Sequence, residues 1–321
     1  MTMDALPVRA GAWTRTAALL AHGRRRWLAH MHRSWRSVPV GLARRLMRPL
    51  PDRMYLALGY LCFLGKWPNY ANPRTFNEHI HEYMLRCRDP LLRVAADKIL
   101  SRSYITMRVG TSYLVPLLGA WDNADAVPVE RLPRPCVLKP SAASGLVLML
   151  RQGEEHDADE LRRTMRGWLR KDYSRLHREW CYTGLPRRII AERMLVDEST
   201  GAVPADYKAY VIGGAVRFFQ VDRGRFGHHT RNIYGPNWET LSPRWTLHKH
   251  APDPRPPQLA EMVAVAEELA RPFEFLRIDY YLIGNKLYIG ELTNYPGAGF
   301  EKFIPASYSN VIGAYWKRPG D

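Results

Sequence analysis

Hydrophobic and polar positions alternate in two short segments near the C-terminus, and this pattern predicts a β-hairpin. Residues 276–283 and 286–292 are both rich in Ile, Leu and Tyr, and the dipeptide Gly284-Asn285 separates them. A Gly-Asn pair between two such segments is a turn signal. We therefore expect two antiparallel strands joined by a tight turn.

The predicted hairpin carries two carboxylates, Asp279 and Glu291. A strict two-residue turn pairs Asp279 with Gly290, whereas a three-residue loop or a bulge pairs it with Glu291. Facing carboxylates on a buried strand face are costly unless a cation neutralises them, as Mg²⁺ does between carboxylates and nucleotide phosphates. Arg277 shares the strand face of Asp279 and can bind an anion beside the metal. The alternative is an edge hairpin with solvated carboxylates.

The remaining pattern mixes helices with strands. Thr75 and Glu78 have the spacing of a capping box, which predicts a helix to about Arg86. Further helices are predicted over residues 51–65, 90–109, 157–171 and 257–271. Strands are predicted over residues 113–118, 135–140, 146–150, 188–195, 206–212 and 215–221. Residues 223–238, rich in Arg, His and Tyr, are predicted as a long functional loop. The order indicates an α+β fold with antiparallel hairpins.

Composition adds the expectation of an acidic partner. The chain has 321 residues, 46% of them hydrophobic, and a net charge of +16. This suits one to three domains and binding to nucleotides, anionic polymers, membrane lipid or nucleic acid. Residues 1–50 hold ten arginines and one acid, Asp4. Tryptophan and leucine recur there at helical spacing, which predicts either a basic helical extension or an interfacial helix on anionic lipid.

Cysteine usage and hydropathy indicate a cytoplasmic protein. The four cysteines are scattered without a Cys-x-x-Cys motif, so we expect reduced thiols and no zinc site or disulfide framework. The apolar run 54–64 is about half of the roughly 20 residues that a membrane-spanning helix needs. The N-terminus lacks a secretory signal pattern.

A second predicted hairpin points to phosphate chemistry. One strand ends in Lys139, the small-residue loop 141–145 follows, and a second strand comes after it. This order suits a hairpin that covers nucleotide phosphates, although an ordinary hairpin with an exposed lysine fits as well. Eight segments, in this order along the chain, match the sequence motifs of a known family: PRTFNEHI, ADKILSRSYI, YLVPLLG, CVLKPSAASG, EWCYTGLPRRIIAERML, DYKAYVIGG, FLRIDYYLIGNKLYIGELTNYPGAG and IGAYW. Over roughly residues 50–316 they resemble the TupA-like ATP-grasp family, named for teichuronopeptide biosynthesis.

The resemblance implies an ATP-grasp fold, in which two α+β subdomains clasp ATP. The basic helical extension, residues 1–50, lies outside the resemblance and precedes this fold. The implied division is 1–50 for the extension, 51–125 for a helical region, 126–205 for the small subdomain and 206–321 for the C-terminal subdomain with the metal site.

The resemblance also implies residues that bind ATP at its phosphates or adenine: Lys98, Lys139, Ser141, Ser144, Gly145, Glu192, Met194 and Leu195. Lys98 and Lys139 match lysines that contact the phosphates, and residues 141–145 match the loop that closes over them. Glu192 matches the acid near the adenine amine.

The implied Mg²⁺ site is the carboxylate pair of the hairpin, Asp279 and Glu291. Many ATP-grasp enzymes have Asn two residues after the metal-binding Glu. Thr293 stands at that position here and Asn294 follows it, so both are candidate ligands.

The implied activity is ATP-dependent carboxylate–amine ligation through an acyl phosphate, in cell-surface polysaccharide or peptidyl-polysaccharide biosynthesis. Arg277 matches the arginine that stabilises the acyl phosphate, and Lys208 matches a further basic residue near the phosphates. An acidic sugar or amino acid is the expected substrate, with candidate contacts in the basic loop: Arg223, Arg225, His228, His229 and Arg231.

Other interpretations of the site and its partners stay open. The same site could serve a kinase or sugar-transferase-like reaction on the polysaccharide, or the chain could bind an anionic polymer without catalysis. Nucleic acid is not expected, since the chain has no nucleic-acid motif and its arginines concentrate outside the family-like region. Residues 1–50 predict peripheral attachment to the inner face of an anionic membrane.

Overall fold

The computed structural model describes residues 47–197, 201–225 and 227–316. Helix α1, Asp52–Leu64, ends at Gly65, which has the left-handed backbone conformation common after helices. Helix α2, Phe76–Arg86, begins at Thr75 with the predicted capping box to Glu78. The predicted basic helices of residues 1–50 lie outside the described residues, apart from residues 47–50.

The third predicted helix is in fact two. Helix α3 is Leu91–Ala96 and helix α4 is Leu100–Val109. Asp97 separates them, because its Oδ1 accepts hydrogen bonds from the backbone N–H groups of Ile99, at 2.8 Å, and Leu100, at 3.0 Å. Such local side-chain bonds compete with the helical ladder. The prediction of one helix over residues 90–109 was therefore wrong.

A small antiparallel sheet forms one wall of the molecule's central cleft. Its strands are β1 (Leu117–Trp121), β2 (Cys136–Pro140), β3 (Leu148–Leu150) and β4 (Ile189–Arg193), in the order β1-β4-β2-β3. Helix α5, Ala158–Leu169, buries Leu161, Met165 and Trp168 against it, and the short helix α6, Tyr173–His177, follows. Strand β1 joins this sheet from within the predicted 51–125 region. The strand predicted over 113–118 begins later, at Leu117, because Pro116 has no N–H to donate.

A large antiparallel sheet forms the opposite wall. Its strands are β5 (Asp206–Ile212), β6 (Ala215–Arg223), β7 (Thr230–Tyr234), β9 (Phe275–Ile283) and β10 (Lys286–Thr293), in the order β10-β9-β5-β6-β7. Helix α7, Leu259–Ala270, packs on this sheet. Strands β8 (Arg244–Trp245) and β11 (Phe303–Ile304) pair separately, and helix α8 is Tyr308–Gly313.

The segment predicted as one long loop, residues 223–238, instead contains strand β7. This strand pairs with β6, where Asp222 lies opposite Arg231. The Arg231 guanidinium binds both carboxylate oxygens of Asp222, at 2.7 and 3.1 Å. Arg231, which the sequence suggests is exposed in a loop, is therefore buried and forms an ion pair with Asp222 on the neighbouring strand.

The C-terminal hairpin has the bulged register. Ile289 lies opposite Tyr280, and the next pair is Glu291 with Asp279, so Gly290 is the extra residue. A Cβ atom at Gly290 would lie 2.6 Å from Cε2 of Tyr281, which explains the glycine. Of the two predicted registers, the one that makes the carboxylates face each other is confirmed.

The structure also bears on the predictions made for the cysteines and for membrane-spanning helices. All four cysteines are free thiols. In the described part of the chain, every helix is too short or too polar to cross a bilayer.

Candidate active site

Three charged side chains form a row across the large sheet. Asp279 on β9 lies between its register partners, Glu291 on β10 and Lys208 on β5. Asp279 and Lys208 are almost completely buried. The bulge at Gly290 completes this row, because without it Glu291 would not lie opposite Asp279.

Asp279 is neutralised by cations on two sides. Arg277 donates from Nε to Oδ1 at 2.6 Å and from its terminal nitrogen to Oδ2 at 2.8 Å. The Lys208 ammonium lies 3.1 Å from Oδ2 and also contacts Asp206. Burial alone would lower the pKa of Arg277, but the negative charge of Asp279 raises it well above its usual range. The guanidinium therefore stays charged.

Glu291 is held by Lys98, which comes from the turn before α4. The ammonium Nζ lies 3.0 Å from Oε1 of Glu291 and donates to the carbonyl oxygen of Ala143 at 2.6 Å. Burial and the charge of Asp279 raise the pKa of Glu291, while Lys98 and Arg277 lower it, and the net pKa lies below its usual range. Lys98 thereby connects a carboxylate of the large sheet to the loop after β2.

The small sheet has a buried carboxylate of its own, Glu192 on β4. Lys139 on β2 places Nζ 2.6 Å from Oε2 of Glu192. Arg102 on α4 places a guanidinium nitrogen 3.3 Å from Oε1. Both oxygens of Glu192 thus face a cation.

The carboxylates of these two charged groups, together with Lys98 and Lys139, line a cavity of about 340 Å³ between the sheets, whereas Arg102, Lys208 and Arg277 lie behind this lining. The predicted nucleotide and metal residues among its lining are Lys98, Lys139, Gly145, Glu192, Met194, Leu195, Asp279 and Glu291. Apolar side chains such as Val137 and Met149 line the same cavity. The wall is therefore apolar at one part and densely charged at another, as a site for a heterocycle joined to phosphates requires.

The predicted phosphate-covering loop is anchored at its first residue. Ser141 is buried, its backbone N–H donates to the carbonyl of Arg188 at 2.8 Å, and its carbonyl accepts from the Lys98 N–H at 3.0 Å. Its hydroxyl donates to the carbonyl of Pro186 at 3.4 Å. Ser144 is exposed, and Gly145 has a left-handed backbone. Roles for the two serines at ATP stay predictions.

The two candidate third ligands have other partners in this structure. The hydroxyl of Thr293 accepts a hydrogen bond from Arg277 at 3.0 Å. The side-chain amide of Asn294 is buried and donates to the carbonyl of Leu92 at 2.8 Å. Asn294 thus anchors α3 to the end of β10, and metal binding by either residue stays a prediction.

Most of the predicted substrate contacts are engaged with acids of the protein. Arg223 pairs with Asp253, and Arg225 pairs with Asp206 at 3.0 Å. Arg231 and His229 both contact Asp222. His228 is exposed. Of these five, Arg225 lines the cavity, so the structure does not gather the group into one open basic surface.

Three ionisable residues in or near the site were missed from the sequence. Arg102 lies four residues after Lys98, and Asp206 lies two residues before Lys208, so helical and strand spacing could have found them. Glu179 was missed because no local pattern places it near Glu291. Burial raises the pKa of Glu179 to about 8, and the charge of Glu291 adds to the effect.

The donor set suits Mg²⁺ shared with a nucleotide. Among the described residues there is no group of three or more His, Cys, Asp or Glu side chains that could hold a metal alone. Mg²⁺ is usually held by one or two carboxylates together with substrate phosphates. Asp279 and Glu291 supply such a pair, and Lys98 and Lys139 line the same cavity for the phosphates.

Fold and site together define an ATP-grasp protein. The family model described as TupA-like ATPgrasp matches residues 78–317. The chain belongs to the TupA-like ATP-grasp family, which confirms the resemblance and the α+β ATP-grasp fold.

Solved structures with a similar fold share little sequence identity with this chain. An L-amino acid ligase from Bacillus licheniformis is 13% identical with a TM-score of 0.43, over 81% of this chain and 58% of that chain. An ATP complex of D-alanine–D-alanine ligase from Bacillus anthracis is 13% identical with a TM-score of 0.37, over 63% and 54%. N5-carboxyaminoimidazole ribonucleotide synthetase from Thermus thermophilus is 13% identical with a TM-score of 0.38, over 68% and 51%. The chain therefore spans little more than half of each of them. A comparison with curated proteins finds no match.

The ion pairs at Asp279 predict a large stability effect. Asp279→Asn keeps the side-chain shape but leaves the buried Arg277 without its counter-charge, so we expect a loss of about 3 kcal/mol in the free energy of unfolding. Urea unfolding without added nucleotide measures it. Asp122→Asn is the matched control, because Asp122 pairs with Arg188 at 2.7 Å but is 81% exposed, and its loss should stay below about 1 kcal/mol. Equal losses in the two variants would contradict the assignment of Asp279 as the buried counter-charge.

Proposed function

We propose that this protein is an ADP-forming carboxylate–amine ligase. The observation that supports it is the facing pair Asp279 and Glu291, surrounded by Lys98, Lys208 and Arg277, in a cavity between two sheets. Family membership supports ATP as the substrate that enters this cavity.

The cations of the site are engaged with its acids. Ion pairs connect four carboxylates, namely Glu192, Asp206, Asp279 and Glu291. The same ion pairs connect six cations, namely Lys98, Arg102, Lys139, Lys208, Arg225 and Arg277. The cavity lining holds five basic and five acidic side chains. Nucleotide phosphates would therefore compete with these carboxylates for the cations.

The proposed reaction has two steps. A carboxylate oxygen of the substrate attacks the γ-phosphorus of ATP, the bond from that phosphorus to the bridging oxygen breaks, and ADP leaves. An amine nitrogen then attacks the acyl carbon, phosphate leaves, and the amine loses a proton. The products are an amide, ADP and phosphate.

The residues act by position and charge. Lys98 and Lys139 bind phosphate oxygens, and Arg277 and Lys208 stabilise the negative charge that develops during phosphoryl transfer. Mg²⁺, when bound at Asp279 and Glu291, supplies further positive charge to the phosphoryl oxygens. Thr293 helps to orient Arg277 through its 3.0 Å hydrogen bond.

The substrate class follows from the family resemblance. We propose an acidic sugar or amino acid in cell-surface polysaccharide or peptidyl-polysaccharide biosynthesis as the acid, with an amine as the second substrate. Residues 1–50, with ten arginines and one acid, are proposed to hold the enzyme at an anionic membrane surface where such polymers are built.

Hydroxylamine distinguishes a ligase from a kinase on the same site. It converts an acyl phosphate into a hydroxamate but does not react with a phosphorylated hydroxyl. With uronic acids, their oligomers and amino acids as test substrates, we expect hydroxamate only with ATP and Mg²⁺, and none in the Glu291→Gln variant. An ATP-dependent phosphosugar without hydroxamate would identify a kinase and refute the ligase.

Liposome sedimentation tests the membrane proposal. Each arginine near an anionic surface contributes about 1 kcal/mol, so the full chain should sediment with phosphatidylserine vesicles at low salt and dissociate as salt rises. A chain lacking residues 1–50 should stay in the supernatant while still binding ATP. Full-length protein that ignores these vesicles at low salt would contradict the proposal.

A further inference from the structure

Arg102 contacts a predicted ATP residue, although the resemblance gives it no role of its own. Its guanidinium lies 3.3 Å from Oε1 of Glu192, while Lys139 lies 2.6 Å from Oε2. The Glu192 side chain is 8% exposed, and those of Lys139 and Arg102 are 16% and 18% exposed. The three side chains form one partly buried cluster.

The start of α4 sets the position of Arg102. Asp97 fixes the turn that precedes the helix through its bonds to the N–H groups of Ile99 and Leu100. Lys98 and Arg102 are four residues apart across this turn. Lys98 reaches Glu291 on the large sheet, and Arg102 reaches Glu192 on the small sheet. One short segment therefore supplies a cation to the carboxylates of both walls.

The arrangement matters because Lys139 has two competing partners. Its ammonium pairs with Glu192 in this structure, yet it is the lysine expected to contact ATP phosphates. Turning toward the phosphates weakens its contact with Glu192. A buried carboxylate that loses its counter-charge is strongly destabilised, so this movement would be opposed if Lys139 were the single cation on Glu192.

We propose that Arg102 is a positioning residue that keeps Glu192 neutralised, so that Lys139 can turn from Glu192 to the nucleotide phosphates. This inference rests on the proposed ATP binding. Arg102 does not need to contact the nucleotide in this role. Its effect is on how strongly Lys139 is retained by Glu192.

Removing Arg102 should weaken the contacts of the protein with the nucleotide phosphates and leave its contacts with the adenine unchanged. In Arg102→Ala, Glu192 retains Lys139, so affinity for ATP should fall while affinity for AMP changes little. The ratio of ATP to AMP affinity should drop roughly tenfold, the scale of coupling between contacting charges. Because both nucleotides carry adenine, the ratio cancels changes at the adenine end.

A second substitution should reverse the effect. In Arg102→Ala with Glu192→Gln, the carboxylate that retains Lys139 is gone, and the ratio should return toward the wild-type value. Arg102→Lys, without a second substitution, should retain most of the wild-type ratio of ATP affinity to AMP affinity. A purely structural role for Arg102 predicts no rescue by the loss of a second charged group.

Isothermal titration of ATP and AMP in the presence of Mg²⁺ measures these ratios on the full chain. Arg108→Ala is the matched control, since Arg108 lies on the same helix and pairs with Glu268 at 2.7 Å. It should leave the ratio unchanged. Lys139→Ala should lower the ratio as much as Arg102→Ala does.

The outcomes separate this inference from the proposed function. Wild-type protein without any preference for ATP over AMP would overturn the proposed ATP site and this inference with it. If the preference for ATP over AMP is lost in Lys139→Ala but retained in Arg102→Ala, the role of Arg102 is overturned and the proposed ATP site stands. Equal losses for ATP and AMP in Arg102→Ala, not rescued by Glu192→Gln, would also overturn it.

Discussion

The pairing of buried carboxylates with cations from neighbouring elements is the interaction on which the site depends. Glu192 on the small sheet and Asp279 on the large sheet are almost completely removed from water, and such charges are tolerated in a fold only when they are paired. The segment around α4 supplies counter-charges to carboxylates on both sheets, because Lys98 pairs with Glu291 and Arg102 pairs with Glu192. These charge pairs therefore connect the α4 segment to both sheets.

Such a site binds its ligand by exchanging partners. The cations expected at the phosphates, Lys98, Lys139 and Lys208, are each paired with a carboxylate of the protein. Nucleotide phosphates would compete with those carboxylates, and a metal ion would replace the cations at Asp279 and Glu291. The affinity for the nucleotide then depends on which cations remain paired with each carboxylate after the lysines have turned to the phosphates. This is why the second cation at Glu192 matters.

The sequence was most informative where one local pattern decided the structure. The Thr75 capping box followed from spacing, whereas the sequence left two hairpin registers open and the structure shows the bulged one at Gly290. Sequence patterns failed where a side chain overrode them, as Asp97 did in dividing the 90–109 helix and Asp222 did in pairing with Arg231. Glu179 could not be found because its relation to Glu291 exists only after folding. The carboxylate pair Asp279 and Glu291 was a candidate metal site from the hairpin pattern itself. The resemblance added Lys98, Lys208 and the role of Glu192, whereas the ion pairs among these residues required the structure.

Manganese binding measured by electron paramagnetic resonance tests the metal site most directly. Mn²⁺ replaces Mg²⁺ and is titrated into full-length protein with a non-hydrolysable ATP analogue. If Asp279 and Glu291 hold the metal, the Glu291→Gln variant should bind Mn²⁺ in this complex at least roughly tenfold more weakly, since even outer-shell changes have effects of that size. Asp122→Asn should bind it like the wild type. Unchanged Mn²⁺ affinity in a folded Glu291→Gln variant would contradict the metal site and the phosphoryl chemistry built on it.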